Sequence, residues 1–224
     1  MLRLRMRHRF QRARKPEEKE VRRQAILKAA RKLLGEVGTS ELSLSELARR
    51  SGVSKANVYR YFESREDVLL QLWIEEVREL GERLEGAFAK LAPGDANGVI
   101  AAVVAGFATQ PKLCELMSIA SPVLERHLSA HAIVSAKQNL ATLTAHIAGL
   151  LHARIPEIPI EDCAWLAGAA STWVAGIWPA VNPPPAVVEA LSRPELAAMQ
   201  PAFERDFTRL LSVLVKGLLP RRQG

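Results

Sequence analysis

The chain has 224 residues, 48% apolar and 25% charged, with a net charge of +7, so it can bury a core and stay in solution. These proportions exclude an intrinsically disordered chain and a collagen-like repeat. Two cysteines, Cys114 and Cys163, allow one disulfide at most and form no Cys-x-x-Cys or Cys/His cluster. That excludes a disulfide scaffold and a structural zinc site, and free thiols in a reducing cytoplasm are the simpler reading.

In chain order, residues 1–16 come first. They carry seven basic groups (Arg3, Arg5, Arg7, Arg9, Arg12, Arg14, Lys15) and no acid. Residues 1–67 hold 18 Lys+Arg against 9 Asp+Glu, whereas residues 68–224 hold 13 against 15. A positive field concentrated in the first third points to a polyanionic partner. The arm 1–16 is expected to be flexible, either touching nucleic acid or only aiding solubility. No apolar run of secretory length precedes Arg22, so a signal peptide is not expected.

A first helix is expected over about 17–35, where Val21, Ala25, Ile26, Ala29, Ala30, Leu33 and Leu34 form one apolar stripe and Gly35 and Gly38 end the helix. Ser43 and Glu46 have the spacing of a capping box that opens a short helix over about 44–50. Ser51-Gly52 turns the chain, and Ser54 caps a second short helix to about Phe62. Ser64 to Asp67 reads as another box, opening a long helix to about Leu91. Beyond Pro93, helices are expected near 95–108, 111–119, 121–128, 130–153, 160–181, 184–191 and 201–219. No stretch alternates with the period of a strand.

Leu42 to Phe62, LSLSELARRSGVSKANVYRYF, is the segment that carries function. Two short helices around a glycine turn outline a helix-turn-helix at 43–62. In a DNA-reading pair of this kind the first helix braces and the second lies in the major groove. Leu44, Leu47, Val53 and Val58 are expected to pack inward with Phe62. Ala48 lets the helices approach and Gly52 takes the turn conformation. Lys55, Ala56, Asn57, Tyr59 and Arg60 then face outward, toward base edges and phosphates.

Residues 17–80 resemble the DNA-binding domain of the tetracycline-repressor family of one-component bacterial regulators. The resemblance is carried by Ala30, Leu34 and Gly38, by Ser43, Leu47 and Ala48, by Gly52, Val53 and Ser54, by Val58, Tyr59, Tyr61 and Phe62, and by Ser64, Arg65 and Glu66. It implies an all-α protein: a three-helix helix-turn-helix DNA-binding domain over 17–65 and a larger helical ligand-binding and dimerisation domain over 66–224. The implied function is a cytoplasmic DNA-binding transcriptional regulator, a repressor released from a palindromic double-stranded operator by a small molecule. An activator or a ligand-independent regulator is the alternative. The implied homodimer forms through helices of about 160–181 and 201–219, and helix 4 is the natural lever between ligand and DNA.

Carried over to matching positions, Ser43 caps helix 2 and touches a phosphate, and Ser54, Lys55, Ala56 and Asn57 lie at the groove. Tyr59 bonds a phosphate, and Arg65 stands where the family usually has lysine. Arg60 replaces a frequent histidine and adds charge near the groove. The ligand pocket is implied by the resemblance alone, with Phe107, Cys114, Met117, His127, His131, Trp165 and Trp173 as its candidates. His127 and His131 have i, i+4 spacing but no acidic or cysteine partner, so no metal is expected, nor any cofactor. A redox role for Cys114 or Cys163 has little support, since only Lys112 lies near to lower a thiol pKa.

Residues 163–188 carry no charge for 26 positions. They are rich in small residues, so a core or interface helix is the reading preferred over a membrane span. An enzyme is not expected: no Gly-rich phosphate loop, G-x-S-x-G or H-E-x-x-H is present.

Overall fold

The computed structural model describes residues 16–39 and 41–219. Residues 1–15 of the expected arm 1–16 therefore lie outside the described residues, and Pro16 opens the first helix. Among the described residues there is no strand, and the chain divides into two compact units, Met1–Glu63 and Ser64–Gly224.

The first unit contains α1 (Pro16–Val37), α2 (Leu44–Ser51) and α3 (Lys55–Val58), with α1 packed on α2 and α2 on α3. The buried stripe of α1 is Ile26, Leu27, Ala30, Leu33 and Leu34. Val21 and Ala25, expected on that stripe, are exposed; the buried face is rotated toward Leu27. α1 runs through Gly35 and stops only at Gly38, whose φ of 74° takes the left-handed conformation and whose N–H bonds Leu34 O at 3.0 Å.

Gly52 closes α2 with φ 68°, and the next amide, Val53 N–H, reaches back to Ala48 O at 3.2 Å. This is the backbone pattern that lets α3 start within three residues. A Cβ at Gly52 would meet nothing within 4 Å, so the requirement is purely one of backbone conformation. Gly52→Ala is therefore expected to cost about 1–2 kcal/mol of the unit's stability, and Gly52→Asn less. Urea unfolding of the two variants checks both the cost and the order.

The second unit contains α4 (Arg65–Phe88), α5 (Ala96–Ala108), α6 (Pro111–Ile119), α7 (Ala130–Arg154), α8 (Ile160–Val181), α9 (Pro185–Leu191) and α10 (Phe203–Leu218). α4 packs along α7, α7 on α8, α6 on α8, and α10 against α5 and α8. Their shared core includes Leu80, Leu84, Phe107, Leu113, Leu166 and Phe207. α5 crosses α4 closely at Gly106, where a Cβ would stand 2.9 Å from Leu80 Cδ1.

Three departures from the expected helices have local causes. α4 ends at Phe88, and single turns carry the chain to Leu91. The stretch expected as a helix over 121–128 is a π-helical turn, Ala120–Leu124, followed by a 3-10 turn, Glu125–His127. Pro122 within it cannot supply a backbone donor, which interrupts the α-helical ladder. Pro194–Met199 adds a 3-10 turn where none was expected. Among the described residues, no single helix is long and apolar enough to cross a membrane. The bent pair α5 and α6 reaches that composition only together, across a 78° break, and supplies core residues.

Candidate nucleic-acid interface and ligand cavity

The reading helix α3 is short and held from its buried side. Val58 is fully buried and Phe62 nearly so, as is Leu47 on α2. α-Helix proper ends at Val58, earlier than expected, but Tyr61 N–H and Phe62 N–H both bond Val58 O, so the helical path continues to Phe62. Ser54 caps it, its Oγ accepting from Asn57 N–H at 3.4 Å. Arg23 of α1 lies 5.7 Å from the Phe62 ring centroid, a cation–π contact between α1 and the end of this segment.

Ser54, Lys55, Ala56, Tyr59 and Arg60 are exposed and Asn57 is half-buried. Tyr59 is 52% exposed, so its ring is not a core anchor. Tyr61 is half-buried. Lys55, Tyr59 and Arg60 make no side-chain hydrogen bond or ion pair among the described residues. A cluster of uncommitted donors on a helix that cannot roll is suited to accept a polyanion.

The cations of α2 are already engaged. Glu46 accepts from Arg49 Nη2 at 2.6 Å and Arg50 Nε at 2.7 Å, and Arg50 also pairs with Glu36 of α1. These hydrogen bonds hold the Glu46 carboxyl down to about 2. Glu46 thus contributes fully above the ordinary carboxylate value of 4.5, and the contribution is lost as pH falls toward about 2. The capping box at Ser43 is half formed: Ser43 Oγ accepts from Glu46 N–H at 3.3 Å, while the Glu46 carboxylate serves the arginines. Ser43 is exposed at the start of α2. Arg65, half-buried at the start of α4 in the second unit, pairs with Glu66 at 3.1 Å.

The second unit encloses a cavity of about 370 Å³ walled by α4, α5, α6, α7, α8 and α10. Its surface is almost wholly aliphatic and aromatic, with Lys137, Thr144 and Ser171 as its side-chain cation and hydroxyls. Phe107 and Met117, among the expected pocket residues, line it. The other five do not. Cys114 is fully buried in the core, its thiol 3.6 Å from Phe107 O. Trp173 stacks on Phe207 at 4.9 Å instead, and Trp165 is 55% exposed on the outer side of α8. His127 lies in the 3-10 turn and His131 in α7, both exposed. Ser129, the N-cap of α7, separates them, so their i, i+4 spacing does not place them on one helix. Sequence reasoning missed Trp73, Val77, Lys137 and Thr144; their signal was the helical stripe of α4 and α7, which looks the same for core and cavity walls.

Burial pushes the Cys114 thiol up to about 12 and raises that of Cys163. Both therefore stay protonated and shielded. In the native protein at pH 8, iodoacetamide is expected to leave both unmodified over a period in which the urea-unfolded chain reacts completely. Mass spectrometry of the intact chain reads the difference, and rapid native modification of either thiol contradicts the burial.

A helix-turn-helix with a fixed, donor-bearing reading helix, in a chain whose other unit is a cavity-bearing helical bundle, defines a helix-turn-helix regulatory protein. Residues 26–72 match the model of the bacterial regulatory proteins of the tetR family, and residues 71–222 match that of a tetracyclin repressor-like C-terminal domain. The chain belongs to the tetracycline-repressor family. It is 32% identical over 84 residues to the HTH-type transcriptional regulator AcrR of Shigella flexneri, covering 38% of this chain and 39% of that one. It is 30% identical over 86 residues to the HTH-type transcriptional regulator BetI of Yersinia pestis strain Pestoides F, covering 38% and 43%. The chain thus spans about two fifths of the length of these curated relatives.

Solved structures share the fold over most of the chain. A TetR-family transcriptional regulator from Streptomyces coelicolor superimposes with a TM-score of 0.58 at 18% identity, over 88% of this chain and 99% of that one. The regulator FadR from Bacillus subtilis in complex with stearoyl-CoA gives 0.51 at 19%, over 84% and 96%.

Proposed function

We propose that the protein is a sequence-specific DNA-binding transcriptional regulator that acts as a homodimer and is released from a palindromic operator by a small molecule. The observation that carries this reading is the uncommitted Lys55, Tyr59 and Arg60 set on a reading helix locked by Val58 and Phe62. Ser43, Ser54, Ala56, Asn57 and Arg65 complete the DNA-contacting set. Two copies place two such helices on half-sites about 34–36 Å apart, or a multiple of it. The dimer face is taken to be α8 and α10. On α8, Trp165, Gly168, Thr172 and Gly176 form one exposed stripe, and α10 exposes Val213.

The cavity supplies the control. A ligand can shift the protein away from DNA only through unequal affinity for two conformers, and an apolar chamber walled by six helices is the kind of site where such a difference arises. Selection of genomic fragments by the purified protein tests the DNA reading, with a Tyr59→Ala, Lys55→Ala double variant in parallel. Recovery of a palindrome by the parent alone supports it. Equal, sequence-blind binding by both overturns it and assigns the binding to the basic arm.

A further inference from the structure

The cavity has a length, a width and two unlike ends. On α7 its wall is one stripe, Lys137, Leu140, Ala141, Thr144, Ile147 and Leu151. At about 1.5 Å per residue this stripe is about 21 Å long. On α4 the matching stripe is Trp73, Val77, Leu80 and Leu84. Trp73 shares a small void with Lys137 and Leu140, and Gly81 lies against His146 and Ile147, so the two helices run the same way along the slot. The α7 stripe is about twice as long as the 8–10 Å that separates packed helices, so the cavity is elongated and suits an extended aliphatic chain.

One end is closed and aliphatic: Leu84, Val99 and Leu151 are all nearly fully buried. The other end is open and bears donors. The Lys137 side chain is 58% exposed there, with its Nζ 2.5 Å from Glu125 Oε1. Trp73, at the same end, has an Nε1 that is buried without a hydrogen-bond partner among the described residues. Among the described residues, Glu125 at that rim is the carboxylate that reaches the slot. Ser171, on its α8 wall, spends its hydroxyl on Ala167 O at 2.9 Å.

We propose that the slot binds a single unbranched aliphatic chain with an anionic head at the Lys137 end, where the head takes the ammonium from Glu125. An extended chain built from bonds of about 1.5 Å advances about 1.25 Å per carbon, so about 13 carbons span the α4 stripe and about 17 the α7 stripe. The closed end excludes a second polar group, which would be buried unpaired. A carboxylate is acceptor-only when ionised, which matches an end that offers donors. Displacing Glu125 frees the 3-10 turn Glu125–His127 from α7, and this is the change the ligand makes in the unit. The proposal rests on the reading of the protein as ligand-controlled.

The test is calorimetric titration of the full chain, below micellar concentrations, with octanoate, dodecanoate, hexadecanoate, hexadecan-1-ol and adamantane-1-carboxylate. The expected result is one site per chain, tightening with chain length by about fourfold per methylene until the slot is full. Hexadecan-1-ol binds about tenfold more weakly than hexadecanoate, and Lys137→Gln abolishes that preference. Thr144→Phe, at mid-slot, excludes the long chains; Ala141→Leu serves the same end if the phenylalanine variant loses its helical circular dichroism. Val134→Ala, an exposed change on α7 outside the slot, leaves binding as it was. Tight binding of the compact adamantane acid, absence of length dependence, or indifference to Thr144→Phe overturns the linear-chain assignment. Indifference to Lys137→Gln overturns the anionic head. Release of a selected DNA fragment is scored separately: saturable hexadecanoate binding without DNA release leaves the ligand class standing and removes the control mechanism. Sequence-specific DNA binding with no hexadecanoate site does the reverse.

Discussion

Replacing Lys55 and Arg60 together with alanine is expected to weaken binding to the selected operator by about a thousandfold or more at fixed salt. Each lost contact of this kind is worth about 1–3 kcal/mol, and the proposed dimer would lose four. The two side chains extend from the reading helix without a partner among the described residues, so their removal leaves no orphaned group behind and α3 keeps its buried Val58. The loss therefore belongs to DNA binding and not to folding. The dependence of log Kd on log salt is expected to flatten by roughly 0.9 for each phosphate contact removed. Fluorescence anisotropy across a salt series reads both quantities. Lys90→Ala, an exposed cation in the turn after α4, serves as the control and changes neither. An unchanged affinity and slope in the double variant would remove α3 from the interface.

The helix-turn-helix was legible because its constraints are local. A left-handed position at Gly52, hydroxyls at Ser43 and Ser54, and buried positions at Leu47 and Val58 each follow from a rule spanning four or five residues, and the structure places all of them so. The long helices after Pro93 were legible for the same reason: Asp95 and Ser129 cap α5 and α7, and prolines stand at or just before the starts of α6, α8, α9 and α10. What local rules could not give is which apolar residues border empty space. Trp173 and Phe107 look equivalent in the sequence, yet Phe107 faces the cavity and Trp173 is covered by Phe207 and Phe203. That difference is set by helix crossings between segments far apart in sequence. Val21 fails similarly: it has the right spacing for the stripe of α1 but stands one turn beyond the surface that buries it and is 69% exposed. The partners of Glu46 were missed because one carboxylate had three bidders, and charged arginines outcompeted a single backbone amide.

Phe207→Ala is expected to have the largest effect on stability, about 3–5 kcal/mol. Phe207 is fully buried on α10, whose inward face is Phe207, Leu211 and Val215 at four-residue spacing. Its ring lies parallel to that of Trp173 at 4.9 Å, meets Phe107 edge-on at 5.6 Å and Phe203 at 5.5 Å. Trp178 joins through Phe203 at 5.7 Å. Removing the ring takes away its transfer energy, several aromatic contacts of about 0.5–1.5 kcal/mol each, and leaves a void beside rigid rings that cannot close over it. The aromatic contributions overlap with the burial and do not add to it in full. Against a stability of about 5–15 kcal/mol for a natural domain, such a loss is a large fraction of the total. Urea unfolding followed by tryptophan emission measures it, with parent and variants compared at the same protein concentration. Phe207→Leu refills much of the volume and is expected to cost about half as much. Because Phe107 is shared between this cluster and the cavity wall, the void opened by Phe207→Ala enlarges the chamber from behind. The variant should then lose its discrimination against compact ligands even at urea concentrations where it is still folded. A cost below about 0.5 kcal/mol, the range of surface substitutions, would mean that α10 does not close this core.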